Sequence, residues 1–129
     1  MMSTTANYAS TPRCGAAQVS AANTNLDGSG TVVMILTAGS SGSRIDRIDI
    51  KAVVTTSAGM IRLFVHDGTN YRLWKEVPVS AVEKSASVPA FGTTIDMSHQ
   101  PLVLPSGYSL RAATEKAEAF NIIATGGDF

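Results

Sequence analysis

Short runs of apolar, β-favouring residues recur along the chain, and no stretch of eleven residues has the apolar spacing of an amphipathic helix. The run "TVVMILTA" (31–38) is almost continuously apolar, as is typical of a strand covered on both faces. In "RIDIKAV" (47–53) apolar and charged residues alternate, which is typical of a half-buried strand. Turn-forming segments such as "DGSG" (27–30) and "DGTN" (67–70) lie between the runs. The pattern predicts about eight short strands.

This number of strands in a chain of 129 residues indicates one all-β domain, because the chain is long enough for one core and short for two. We predict an antiparallel β-sandwich over residues 17–129, with a jelly roll as its leading form. The segment "LVLPSGYSL" (102–110) supports this fold. Its proline presets the backbone for a turn and its glycine closes that turn between two apolar runs.

Residues 1–16 are polar and have neither a helical nor a strand period, so we predict an extended N-terminal arm. Such an arm is either a loose chain end or a tether that becomes ordered on a neighbouring subunit. If it is a tether, Tyr8 and Arg13 are the arm residues that we expect to contact a partner.

The segment "IRLFVHDGTNYRLWKEV" (61–77) has the pattern of a β-hairpin, in which the loop length decides which side chains meet. A two-residue turn would pair apolar with charged side chains. A four-residue loop would set Arg62 opposite Lys75, and like charges placed opposite each other are destabilising. We therefore predict a loop of three or five residues. With that register one face carries Arg62, Phe64, Arg72 and Trp74.

That face is a candidate subunit contact, because arginine and tryptophan are over-represented among the residues that dominate binding at protein interfaces. The alternative is that the second sheet covers the face and that Trp74, the only tryptophan, belongs to the core.

Several residues are of the types that bind metals or act as catalysts. His66 and Asp67 are adjacent, and neighbours in a strand point to opposite faces, so we expect Asp67 to cap the loop instead. Asp96 and His99 lack a third ligand. The segment "NTNLDG" (23–28) is similar to the start of a calcium loop, but Met34 stands where a bidentate glutamate is required. We predict no metal site, no cofactor and no enzymatic activity.

Two further features concern single side chains. Cys14 is the only cysteine, which excludes an intramolecular disulfide, and its polar surroundings do not favour a catalytic thiol. Tyr71, Trp74 and Tyr108 are candidates for a sugar-stacking platform.

The charge is balanced, with ten basic and ten acidic residues and no basic run, so we predict no binding to nucleic acid. No apolar stretch resembles a signal peptide or reaches the eighteen residues of a membrane span. Charged residues make up 16% of the chain, while 14 serines and 13 threonines supply much of its polarity. We expect a weakly charged surface that suits contact with other proteins.

The segments "SRIDRIDIKAVVTTSAGMIRLFVHDGTNYRLWKEVPV" (43–79), "LVLPSGYSLRA" (102–112) and "AEAFNIIATGGDF" (117–129) carry a resemblance. Over residues 24–129 the chain resembles small structural proteins of tailed bacteriophages and prophages. The resemblance implies a non-enzymatic virion protein that is made in the host cytoplasm. It transfers no catalytic residues to this chain. It implies a head decoration or cement protein on the capsid surface, commonly a homotrimer, that binds and stabilises the shell of major capsid protein. The alternative is a tail, fibre or baseplate sandwich that binds a host surface glycan.

Overall fold

The computed structural model describes residues 10–129, and in that range it contains nine β-strands and no helix. The strands are β1 (Thr11–Val19), β2 (Val33–Thr37), β3 (Ser43–Ala52), β4 (Gly59–His66), β5 (Tyr71–Val79), β6 (Gly92–Asp96), β7 (Leu102–Leu104), β8 (Ser109–Thr114) and β9 (Phe120–Asp128).

The strands form two antiparallel sheets. Sheet A has the order β1-β9-β3-β6, with β7 also pairing with β3, and sheet B has the order β2-β8-β4-β5. Alternate side chains from the two sheets meet in one apolar core, among them Ile48 and Ile50 of sheet A and Leu63 and Leu110 of sheet B, each at most 1% exposed. The prediction of an all-β sandwich is confirmed.

The N-terminal part of the chain differs from the predicted arm. Strand β1 begins at Thr11 and pairs along its whole length with β9, so residues 11–16 belong to sheet A. The prediction that these residues form an extended arm was wrong. Small residues such as Gly15 and Ala16 give this segment little apolar periodicity, although its backbone completes the edge of the sheet. Residues 1–9, which include Tyr8, lie outside the described part of the chain.

The hairpin between β4 and β5 also differs from its predicted register. His66 pairs with Tyr71, which leaves a four-residue loop, and a β-bulge at Trp74 then shifts the pairing by one residue. Because of this shift, Arg62 lies opposite Glu76 and not opposite Lys75. The odd-length loop that we predicted was wrong, because the bulge removes the charge repulsion that counted against a four-residue loop.

Asp67 closes this loop as predicted. Its Oδ1 accepts hydrogen bonds from the backbone N–H groups of Asn70 at 2.7 Å and Thr69 at 2.9 Å. These hydrogen bonds stabilise the ionised carboxylate, so they lower the pKa of Asp67 from its ordinary value.

The segment between β1 and β2 crosses the outer face of sheet B, the face turned away from the core. It forms a bridge from Ala22 to Thr114, and further along Gly28 lies so close to the Tyr71 ring that a Cβ would overlap it. Asn23 holds the segment by donating its side-chain N–H groups to the carbonyl oxygens of Ser29 and Thr31, both at 2.9 Å. The side-chain amide of Asn23 therefore forms hydrogen bonds within the turns of its own segment, "NTNLDG" (23–28).

Candidate interaction surfaces

The four hairpin residues that were predicted to share a face lie on two sides of sheet B. Arg62 and Phe64 point to the outer face and are 9% and 0% exposed. Arg72 lies opposite Val65 and is exposed, while Trp74 is half-buried and packs against the core. The four-residue loop pairs Val65 with Arg72, so Arg72 and Trp74 lie on the core side of β5, and this register explains why the predicted common face was wrong.

Arg13 makes contacts within its own chain. Its Nη1 donates to both carboxylate oxygens of Asp128, at 2.9 and 3.0 Å, and its Nη2 donates to the carbonyl oxygen of Thr37 at 3.0 Å. The Ser43 hydroxyl also donates to Asp128, and this hydrogen bond together with Arg13 lowers the pKa of the carboxyl group. Arg13 thus ties β1 to β9 and, across the sandwich, to β2.

A second apolar cluster lies on the outer face of sheet B. The Phe64 and Tyr71 rings meet edge to face with their centroids 6.2 Å apart. Arg111 donates from Nη1 to the Tyr71 hydroxyl at 3.0 Å, and its guanidinium lies 5.5 Å from the centre of that ring. Together with the covering segment at Gly28, these contacts bury Phe64 although it faces away from the inter-sheet core.

Arg62 is a buried charge with weak compensation. Its Nε lies 3.8 Å from the nearest carboxylate oxygen of Glu76. Neither Nε nor Nη1 finds a hydrogen-bond partner in the described part of the chain. Removing a guanidinium from water is costly, and the attraction to a carboxylate compensates for this only when the geometry is good.

We therefore expect Arg62→Met to raise the free energy of unfolding by about 1 kcal/mol, because it fills a similar volume without a buried charge. Glu76→Gln is the paired variant, and we expect it to destabilise the protein because Arg62 then loses its nearest counter-charge. Urea unfolding followed by circular dichroism measures both. A clear loss of stability in Arg62→Met would show that the guanidinium is better satisfied than these distances indicate.

The outer face of sheet A is open to solvent and carries exposed apolar side chains. Ile123 is 37% exposed at the centre of the face, between Ala16 of β1 and Asp49 of β3. Val103 is 56% exposed on β7. Beside it lies a shallow depression of about 530 Å³ lined by Arg44, Pro101, Val103 and Phe129.

Four charged side chains of this face form two ion pairs. Arg47 and Asp49 form an ion pair at 3.1 Å, and the Thr94 hydroxyl donates to Asp49 at 2.6 Å. Arg44 and Asp46 form a second pair at 2.8 Å. Polar groups that already have hydrogen-bond or ion-pair partners pay a smaller desolvation free energy when a second surface covers them. Cys14 is also on this face, and its thiol is exposed and free.

A separate groove of about 540 Å³ lies where the sandwich opens between β5 and the β6–β7 loop. Its lining consists of Trp74, Lys75, Ile95, Asp96, Met97, His99, Gln100, Pro101 and Leu102. The groove brings Trp74 together with Asp96 and His99, which the sequence left as unrelated candidates.

The other two aromatic residues considered for a sugar platform are elsewhere. Tyr71 is on the outer face of sheet B, and Tyr108 packs against the core at the turn before β8. The three rings therefore do not form a common platform. Within residues 10–129 no three potential metal ligands of the histidine, cysteine or carboxylate type come together.

The sequence contained a signal for the outer face of sheet A that we did not use. Ile122 and Ile123 are adjacent in one strand, and neighbours in a strand point to opposite faces, so one of them has to face outward. The groove had no comparable signal, because His99 and Gln100 reach it from a loop.

No protein-family model and no curated protein matches this chain. The described residues include no helix with the length and apolar character needed to cross a membrane.

Proposed function

We propose that the protein is a non-enzymatic structural protein of a tailed-bacteriophage virion, and that it decorates the capsid by binding the shell of major capsid protein. The observation that carries the proposal is the outer face of sheet A, with Ile123 and Val103 exposed among charges that are already paired. A face with this composition suits contact with another protein surface. Its balanced charge gives no attraction to nucleic acid or to anionic membranes.

The strand order supports a jelly roll as the form of the sandwich. In the two sheets β1 pairs with β9, β2 with β8, β3 with β6 and β7, and β4 with β5. This is the nested pairing of a chain folded in half and rolled up, with β6 and β7 sharing the position of one strand. Such a domain offers two broad faces, and in this chain the segment between β1 and β2 covers one of them.

A decoration protein of this kind acts by mass action. Because it binds the assembled shell and not the dissociated subunits, every contact it makes shifts the equilibrium toward the intact particle. We further propose that the chain associates as a homotrimer on the capsid surface, as the resemblance to phage decoration proteins implies.

The shell contact is tested by Ile123→Asp in a co-sedimentation assay with capsids that lack the protein. We expect the aspartate to weaken binding about tenfold or more, because docking would bury a carboxylate without a partner. The fold should be retained, since Ile123 is already 37% exposed. Leu26→Asp is the matched control, because Leu26 is 52% exposed but lies on the segment that covers sheet B.

Two results would contradict the proposal. One is unchanged capsid binding by Ile123→Asp. The other is a low copy number in purified virions, since a decoration protein should approach one chain per major capsid subunit, whereas a tail, fibre or baseplate component is scarce. Light scattering of the purified protein measures the oligomeric state separately.

A further inference from the structure

We propose that the groove beside Trp74 is a binding site for a saccharide. This inference does not depend on the proposed shell contact, although the groove adjoins that face: Pro101 lines both the groove and the depression beside Val103. The groove lies at the open edge of the sandwich, and its volume of about 540 Å³ falls in the range of pockets that hold small ligands, roughly 300 to 1,000 Å³.

The floor of the groove is the indole of Trp74. The bulge makes Trp74 the additional residue between the partners of Phe64 and Leu63, and its ring packs against the core, so its position is fixed. The Lys75 ammonium lies over this ring, 5.0 Å from its centre, so the flexible Lys75 side chain has to swing aside when a pyranose stacks there and then donates a hydrogen bond from the rim. An indole face attracts the weakly positive C–H groups on the apolar side of a pyranose ring.

The wall opposite Trp74 is polar and held in place. The backbone N–H of Met97 donates to the Asp46 carbonyl oxygen at 2.8 Å, and the Met97 side chain is buried beneath the loop at 6% exposure. Asp96 accepts a hydrogen bond from the Ser98 N–H at 2.9 Å, which lowers the pKa of Asp96 and keeps its carboxylate ionised. Because this wall is ordered before binding, less conformational entropy is lost when a ligand binds.

The exposed side chains of His99 and Gln100 complete this wall. With Asp96 and Lys75 they provide hydrogen-bond acceptors and donors around a single aromatic face, and the two formal charges of Lys75 and Asp96 cancel. That combination matches a neutral, hydroxyl-rich ring better than a phosphate, which would need several cationic groups.

The groove is a poor site for a peptide strand. A peptide would add to the free edge of β5, but the bulge at Trp74 interrupts the regular row of backbone groups along that edge. A saccharide does not need this row, because it is held by side chains.

The only tryptophan of the chain lies in the groove, so its fluorescence reports binding directly. The intact protein would be titrated with glucose, galactose, mannose, N-acetylglucosamine and the trisaccharides of each, with glycerol as the reference for non-specific effects. We expect at least one saccharide to change the fluorescence in a saturable manner. Gln100→Ala should weaken its binding about fivefold, because one hydrogen bond to the ligand is lost.

Two variants separate the groove from the rest of the surface. Trp74→Phe keeps an aromatic side chain against the core but reduces the stacking area, and we expect it to weaken binding as measured by calorimetry. Asn25→Ala removes an exposed amide from the segment over sheet B and should bind as the unchanged protein does. The proposal is overturned if no saccharide of the panel binds, if a saccharide binds equally well to Gln100→Ala and Trp74→Phe, or if glycerol reproduces the signal.

Discussion

Phe64→Ala is expected to lower the free energy of unfolding by about 3 to 5 kcal/mol, the cost of removing a large ring from a closed site. Phe64 is 0% exposed, yet it faces away from the core between the two sheets. Its burial comes from Tyr71, which meets it edge to face, and from the segment between β1 and β2, which lies against Tyr71 at Gly28.

The experiment is urea unfolding of Phe64→Ala and Leu26→Ala beside the unchanged protein. Leu26 lies on the covering segment but is 52% exposed, so its truncation should change stability by less than about 0.5 kcal/mol. A loss below about 1 kcal/mol for Phe64→Ala would mean that the segment does not close over the ring in solution. The outer face of sheet B would then be open, and Arg62 beside it would be hydrated.

The all-β architecture was predictable because alternation and turn residues are local properties. The alternating apolar residues of "RIDIKAV" (47–53) give β3 its buried Ile48 and Ile50. The cover over sheet B was not predictable, since "NTNLDG" (23–28) is a polar segment whose position depends on tertiary contacts such as the hydrogen bond from the Asn23 N–H to the Thr114 carbonyl oxygen.

The register of the β4–β5 hairpin shows a different limit. Arg62 and Lys75 would repel each other if they were paired, and the structure avoids this pair. The structure avoids the pair with a bulge at Trp74, whereas our prediction avoids it with a loop of odd length. Either arrangement keeps Arg62 from lying opposite Lys75. A sequence pattern identifies which contact is avoided but not which backbone irregularity avoids it. The wrong register also placed Trp74 on the face of Arg62 and Phe64, away from the groove that it lines.

The limit for the first strand is compositional. Residues 11–16 have few large apolar side chains, so they resemble a chain terminus in the sequence. In the structure a small residue is required at Gly15, because β1 passes close to β2 at this edge of the sandwich. Gly15 has no room for a side chain here, since a Cβ would overlap the Ile35 carbonyl oxygen and lie 2.9 Å from the Leu36 Cβ.

Gly15→Ala is therefore expected to destabilise the protein by about 2 to 3 kcal/mol, because the backbones of β1 and β2 would have to separate. Ile35 and Leu36 are 5% and 3% exposed, so the displaced strand carries core side chains with it. Gly92→Ala is the matched control within another edge strand. Its added Cβ would lie closest to the flexible Lys51 side chain, at 3.2 Å, and at an ordinary contact distance of 3.7 Å from the Ile50 carbonyl oxygen, so it should change stability by less than about 0.5 kcal/mol.

Thermal and urea unfolding of the two glycine variants decide whether β1 belongs to the folded domain. If residues 11–16 formed an arm that orders only on a neighbour, a methyl group at Gly15 would leave the stability of the isolated chain unchanged, as Gly92→Ala does. A loss of stability in Gly15→Ala but not in Gly92→Ala would instead show that β1 packs against both sheets in the isolated chain. Arg13 of β1 stabilises the same edge of the sandwich, because it binds Asp128 of β9 and the Thr37 carbonyl oxygen of β2. The methyl group added at Gly15 would force this edge apart.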